Sequence, residues 1–358
     1  MTSRTLITAA IAVLTLTSPI SAQNATNPIQ VALLRWYQAN AAVTFSVCSS
    51  GGKPGSLAFD GKHIWVTCYS GVSELQEFDS SDGRLVATVT QIFNSGQYAG
   101  LTLSNLLYDG SNIWVSGNSK PSIGAVARIN VAAVNASTTN PMTCASLGTT
   151  DCMYITTGVG AFGMTFDGTD VWVANSVSNN LTKIPPTGIP TTVTPNANCL
   201  TPIALAFDTA NIWITCEQSN SVQVWQVVGG STQYTPLTGT GISTPTSIAY
   251  DGTYMWVASS GGTFNEIHAV TQPFTVNHPF TVPGGGVGDG IAFDGKYMWV
   301  INYSTDQVYK LIPPANPANT PQMLPPYNGA PGSNPSSPVF DGGNIWVVNS
   351  NLNSLSKF

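Results

Sequence analysis

Charge is scarce in this chain. Asp, Glu, Lys and Arg make up 8% of its 358 residues, against roughly a quarter in an average soluble protein. Eleven basic residues against seventeen acidic ones leave a formal net charge of −6, so there is no basic footprint for nucleic acid or an anionic membrane surface. Histidine occurs three times, as His63, His268 and His278, and no C-x-x-C pair is present, which removes the common zinc-binding spacings. No apolar run reaches the ~18 residues of a membrane span. The 42% apolar content excludes, in turn, a disordered tail protein.

What the chain does have is turn chemistry. Gly (34) and Pro (24) are joined by abundant Ser, Thr and Asn, a composition of many tight turns and short strands. The N-terminus carries Arg4, an apolar run from Leu6 to Leu16 and Ser21-Ala22 before Gln23. This pattern predicts a signal peptide over residues 1–22 and a periplasmic or secreted protein. Residues 23–40 contain Asn27-Pro28, a good cap and first-turn pair, with Ile29, Leu33 and Trp36 on one face of a short predicted helix.

The phrase aromatic-Asp-Gly-x-x-apolar-Trp-Val then recurs. Its copies run Phe59-Asp60 to Trp65, Tyr108-Asp109 to Trp114, Phe166-Asp167 to Trp172, Phe207-Asp208 to Trp213, Tyr250-Asp251 to Trp256, Phe293-Asp294 to Trp299 and Phe340-Asp341 to Trp346. Six intervals separate Trp65 from Trp346, a period of about 47 residues, which matches a four-stranded propeller blade. Each copy reads as an apolar strand, a tight turn and a second strand buried on both faces. The expected fold is all-β: a seven-bladed β-propeller of four-stranded antiparallel blades over residues 41–358. The last copy ends at its third strand, "NSLSKF". The segment Ala41 to Val47 can supply the fourth, a 3+1 closure by the N-terminal strand that removes an open edge.

Strand register also makes sense of the six Cys. Cys68 and Cys216 each follow their repeat Trp by three positions, and Cys48 and Cys199 precede the inner strands of the same two repeats. Antiparallel neighbours then bring Cys48 to Cys68 and Cys199 to Cys216, and Cys144 and Cys152 close a local loop. Disulfides suit an oxidising compartment.

Candidate chemistry is thin. The repeated Asp are read as turn residues, since one carboxylate beside Gly lacks the several oxygens that calcium needs. His63 and His278 are read as turn or surface residues, and Glu266 and His268 as a partly exposed pair on a third strand. No Ser-His-Asp set is recognisable, and no metal site or cofactor is expected. The loops that gather at one mouth of a propeller are rich in Asn, Ser and Gly. Tyr69, Glu217, Asp289 and Tyr303, with Asp306, are their distinctive members, and the first four are the candidate ligand-binding residues.

Phrases such as Phe166 to Asn175, "FDGTDVWVAN", resemble bacterial seven-bladed propellers of the YVTN and NHL-like type and, more loosely, virginiamycin B (streptogramin) lyases. The resemblance covers about residues 41–358. The lyase resemblance implies a Glu-Pro-His just before an inner strand, with the general-base His four residues before the aromatic of that repeat and the Glu six before it. Here the four-before positions are Gly55, Ser104, Phe162, Ile203, Thr246, Asp289 and Ser336, and no Glu stands at the six-before positions. The expected function is therefore an exported binding or interaction module, acting as a monomer on an unidentified small molecule, glycan or protein. A lyase-like or hydrolytic enzyme with its site at the channel mouth, or a structural envelope component, is the alternative.

Overall fold

The computed structural model describes residues 43–48, 51–71, 73–195, 198–227, 236–239, 241–269, 273–276, 279–284, 288–316, 319–330 and 332–358. The expected signal peptide and short helix lie outside these residues, as does His278. From Val43 onward the chain forms one compact unit.

That unit is a seven-bladed β-propeller with one antiparallel sheet per repeat phrase. The inner strands are Lys53–Phe59, Thr102–Tyr108, Ala161–Phe166, Pro202–Phe207, Pro245–Tyr250, Gly288–Phe293 and Pro335–Phe340, which define blades 1 to 7. Each is followed by a Trp-bearing second strand and a third strand. The outer strand varies. Blades 5 and 6 split it into two short pieces, and blade 1 gains Met142–Thr143 in parallel beside Leu85–Thr90. Among the described residues blade 4 has three strands. In blade 7 the outer strand is Val43–Ser46, paired antiparallel with Ser354–Lys357 from the opposite end of the chain.

The repeat phrase owes its constancy to one carboxylate. In every blade Oδ2 of the repeat Asp accepts the indole N–H of the Trp five residues on, at 2.6–2.9 Å. Oδ1 accepts the backbone N–H groups two and three residues on, such as Lys62 and His63 at 2.8 and 2.6 Å in blade 1. The Asp thus shapes the turn and also satisfies the buried indole, whose donor would otherwise lose its water without replacement. The turn reading was correct but incomplete. The position after Asp takes a positive φ throughout, and in six blades it is Gly. Blade 4 departs from the phrase, with Thr209 there at φ 83°.

Each repeat Trp is at most 4% exposed and packs between blades. Trp346 of blade 7, for example, shares a core cluster with Ile64 and Val66 of blade 1.

Candidate ligand site at the central channel

Each inner strand carries a register shift two or three residues after its entry, as between Pro54 and Leu57 in blade 1 and between Leu103 and Leu106 in blade 2. A bulge frees backbone groups from the ladder and bends the strand. In blades 1, 2 and 4 a hydroxyl from the second strand accepts the freed amide: Ser56 N–H to Thr67 Oγ1, Asn105 N–H to Ser116 Oγ and Ala204 N–H to Thr215 Oγ1, at 2.8–2.9 Å. Between blades, Ser337 Oγ accepts Leu57 N–H and Ser56 Oγ accepts Leu106 N–H, both at 3.2 Å.

These bulged segments line a cavity of about 560 Å³ on the propeller axis, with residues from all seven inner strands. Its wall is Ser, Thr, Asn and Gly interspersed with Pro54, Leu103, Phe162, Met164, Ile203 and Leu205. Among the described residues no Asp, Glu, Lys, Arg or His borders it. Gly163 marks a close approach, since a Cβ there would lie 2.3 Å from the Ile203 carbonyl oxygen of the next blade.

The four-before positions Gly55, Ser104, Phe162, Ile203, Thr246 and Ser336 are all part of this wall. Asp289 occupies the same position on the blade 6 strand, with its side chain outside the described part. Of the other candidates, Tyr69 borders the cavity, together with Asn118 and Ser350, its counterparts four residues after the Trp of blades 2 and 7. Glu217 and Tyr303 hold the equivalent positions of blades 4 and 6, half-buried, but do not border the cavity. Tyr69, Glu217 and Tyr303 thus come from three separate blades instead of one cluster.

The neighbouring Asn-rich loops are largely committed to holding blades together. Asn179 Oδ1 of blade 3 accepts the Thr201 N–H entering blade 4, and Asn220 Oδ1 of blade 4 accepts the Thr244 N–H entering blade 5, both at 2.7 Å. Asp306 does the same from blade 6, accepting from Gly332 N–H, Ser333 Oγ–H and Asn334 N–H of the segment entering blade 7 at 2.6–3.1 Å. Asn179, Asn220 and Asp306 all adopt φ of 51–55°, a region that short polar side chains tolerate. Disulfides Cys48–Cys68 and Cys199–Cys216 tie the inner-strand entrances of blades 1 and 4 to the neighbouring strand exits, and Cys144–Cys152 closes the loop ahead of the blade 2 outer strand. These are the pairs that the strand register led us to expect.

The structure also corrects two expectations, the first of them at the opposite end of blade 1. His63 is buried at 5% exposure and is no surface residue. Its Nδ1 lies 2.8 Å from Glu77 Oε1 and 3.2 Å from Asp60 Oδ2. Glu77, which the sequence reading passed over, is fully buried. Burial, and after it the Asp60 carboxylate, push its acid up to about 7, against the opposing influence of the Asn135 side chain and Lys62. The second correction concerns Glu266, which is 2% exposed and buried on its strand.

No protein-family model matches the chain, and no curated protein matches its sequence. Solved structures do match its fold. A catalytically inactive variant of virginiamycin B lyase from Staphylococcus aureus, solved with quinupristin, superposes with a TM-score of 0.66 at 18% identity, over 88% of this chain and 98% of that one. A streptogramin B lyase gives 0.66 at 16% identity, over 88% and 96%. The WD40 repeats of RRP9 give 0.66 at 11% identity, again over 88% and 96%. Similarity at this level establishes a shared seven-bladed fold, one that serves a lyase and a repeat domain alike. Among the described residues no helix is long and apolar enough to cross a membrane.

Proposed function

We propose that this chain is an exported recognition module that binds a neutral polar ligand, such as a glycan, at the mouth of the central channel. The observation that carries this reading is the channel wall: a cavity of about 560 Å³ bordered by hydroxyl, amide, backbone and apolar groups, with the Tyr69 ring at its edge. Such a wall offers hydrogen bonds and an aromatic face, and none of its described members is charged. Disulfides at the entrances of blades 1 and 4 and side-chain links joining blades 3, 4 and 5 keep the mouth ordered before binding, which lowers the cost of recognition. Export is supported by the signal-peptide pattern of residues 1–22 and by the three disulfides.

The test is an array of neutral oligosaccharides probed with the full mature chain. Binding is expected, weakened at least tenfold by Tyr69→Ala and by Thr246→Trp, which fills the channel. A blank array at high protein concentration overturns the ligand class. In a parallel incubation with quinupristin, with and without magnesium, the cyclic depsipeptide is expected to stay intact. Metal-dependent ring opening that Asp289→Ala abolishes would overturn the non-enzymatic reading.

A further inference from the structure

The residue paired across the ladder from each repeat Trp is basic in four blades: Arg128 opposite Trp114, Lys183 opposite Trp172, Lys310 opposite Trp299 and Lys357 opposite Trp346. The three Lys ammonium groups sit 4.7–5.4 Å from the centroids of their Trp rings. In blade 3 the same ammonium is also 2.8 Å from Asp170, the residue three positions after the repeat Asp. The fold therefore places a cation over the Trp ring in three blades, and in blade 3 beside Asp170.

Blades 1 and 5 reverse that charge, blade 5 with Glu266 opposite Trp256, and blade 1 alone adds an imidazole at the neighbouring turn. Opposite Trp65 stands Glu77, and three positions after Asp60 stands His63. Two carboxylates and an imidazole share a place where blade 3 has one carboxylate pair and a lysine. Asp60 Oδ1 and Oδ2 are held by the turn amides and the Trp65 indole. Glu77 is different: it is 0% exposed and points into the cluster, with His63 Nδ1 2.8 Å from its Oε1, and the only other side chain that favours its charge by hydrogen bonding is the neutral amide of Asn135. A fully buried carboxylate left in this condition is costly unless something positive meets it.

We propose that Asp60, His63 and Glu77 form a buried site for one divalent transition-metal ion of the zinc type, taking the place of the lysine that blades 3, 6 and 7 supply. One ligand atom from each residue lies within 4.8 Å of the others. Zinc bonds of about 2.0–2.2 Å to N and O donors need only a small separation of these atoms. The charges also balance, since a dication between two carboxylates and a neutral imidazole leaves no net charge in a dry environment. Three donors of this kind are too few for calcium, which takes six to eight oxygens, and the imidazole favours a transition metal. Asp60 Oδ2 can keep the indole on one lone pair and offer the other to the ion. The rival arrangement holds a proton on the ring instead of a metal.

The experiment uses the full chain, stripped with a chelator, exchanged into metal-free buffer and titrated with Co²⁺ and then Zn²⁺. One equivalent of Co²⁺ is expected to give visible d–d absorption, which an equivalent of Zn²⁺ displaces while raising Tm. His63→Asn is expected to abolish the uptake. It should fold, because blades 2, 4 and 7 carry Asn112, Asn211 and Asn344 at this position, each donating to its repeat Asp. Glu77→Gln, which keeps the shape of the side chain, is expected to weaken binding at least tenfold, and it decides the matter should His63→Asn fail to fold. Absence of stoichiometric uptake by the wild-type chain, or uptake that survives these substitutions unchanged, overturns the site.

Discussion

Phe45 stacks on Trp346, with ring centroids 5.2 Å apart and planes inclined by 28°. One ring comes from the strand that opens the propeller and the other from its last repeat, so the contact joins segments some 300 residues apart in sequence. Such a contact forms only when the ring of blades is complete.

Phe45→Ala should therefore destabilise the whole propeller. Phe45 is only partly buried, so a loss of about 2–3 kcal/mol, at the low end for a Phe truncation, is expected in chemical denaturation. Deleting residues 43–46, which removes the ladder with Ser354–Lys357 as well, should cost more. Unchanged stability in both variants would show that this strand is dispensable.

Thr209 holds a positive φ of 83° where the other six repeats place Gly. A β-branched residue is strained there, and Thr209→Gly relieves that strain while loosening the unfolded chain. The net expectation is a gain of about 0.5–1 kcal/mol, read as a small rise in Tm. The converse change, Gly295→Thr in blade 6, should lower Tm. Were Thr209→Gly to lower it too, the strain argument would fail.

Asp341 supplies a pH prediction. Burial would raise its pKa, but the Trp346 indole, the backbone amides of Gly343 and Asn344 and the Asn344 side chain outweigh burial and hold the acid below its usual 3.8. A depressed pKa means that the unfolded chain binds the proton first. The stabilisation is therefore present above pH 3.8 and lost as pH falls through the lower folded value. The Tm gap between wild type and Asp341→Asn should be steady from pH 5 to 7 and should narrow below pH 3.8. A gap independent of pH down to full acid unfolding would contradict the assignment.

The repeat was legible because its forces are local. An Asp that bonds its own turn amides and a Trp five residues on leaves a signature within one short phrase, and seven copies of it count the blades. Cysteine pairing followed for the same reason, since adjacent antiparallel strands turn sequence spacing into spatial contact. Tyr69 could be placed at the channel mouth from its position after the Trp strand, and the channel wall coincides with positions that the repeat phase marks in advance.

The fates of Asn179, Asn220 and Asp306 were not legible. Their side chains bond amides of the following blade, and a loop composition of Asn, Ser and Gly reads the same whether it meets a ligand or a neighbouring blade. His63 looked like an ordinary turn residue because its partner Glu77 lies fourteen positions on, on another strand. The sequence by itself determined the strands, the turns, the blade count and the disulfide register, all set by contacts of short range. Only the tertiary structure decided which loop polar groups are consumed between blades, which carboxylate is buried without a full set of partners, and what borders the channel, because those outcomes depend on how separate repeats meet in space.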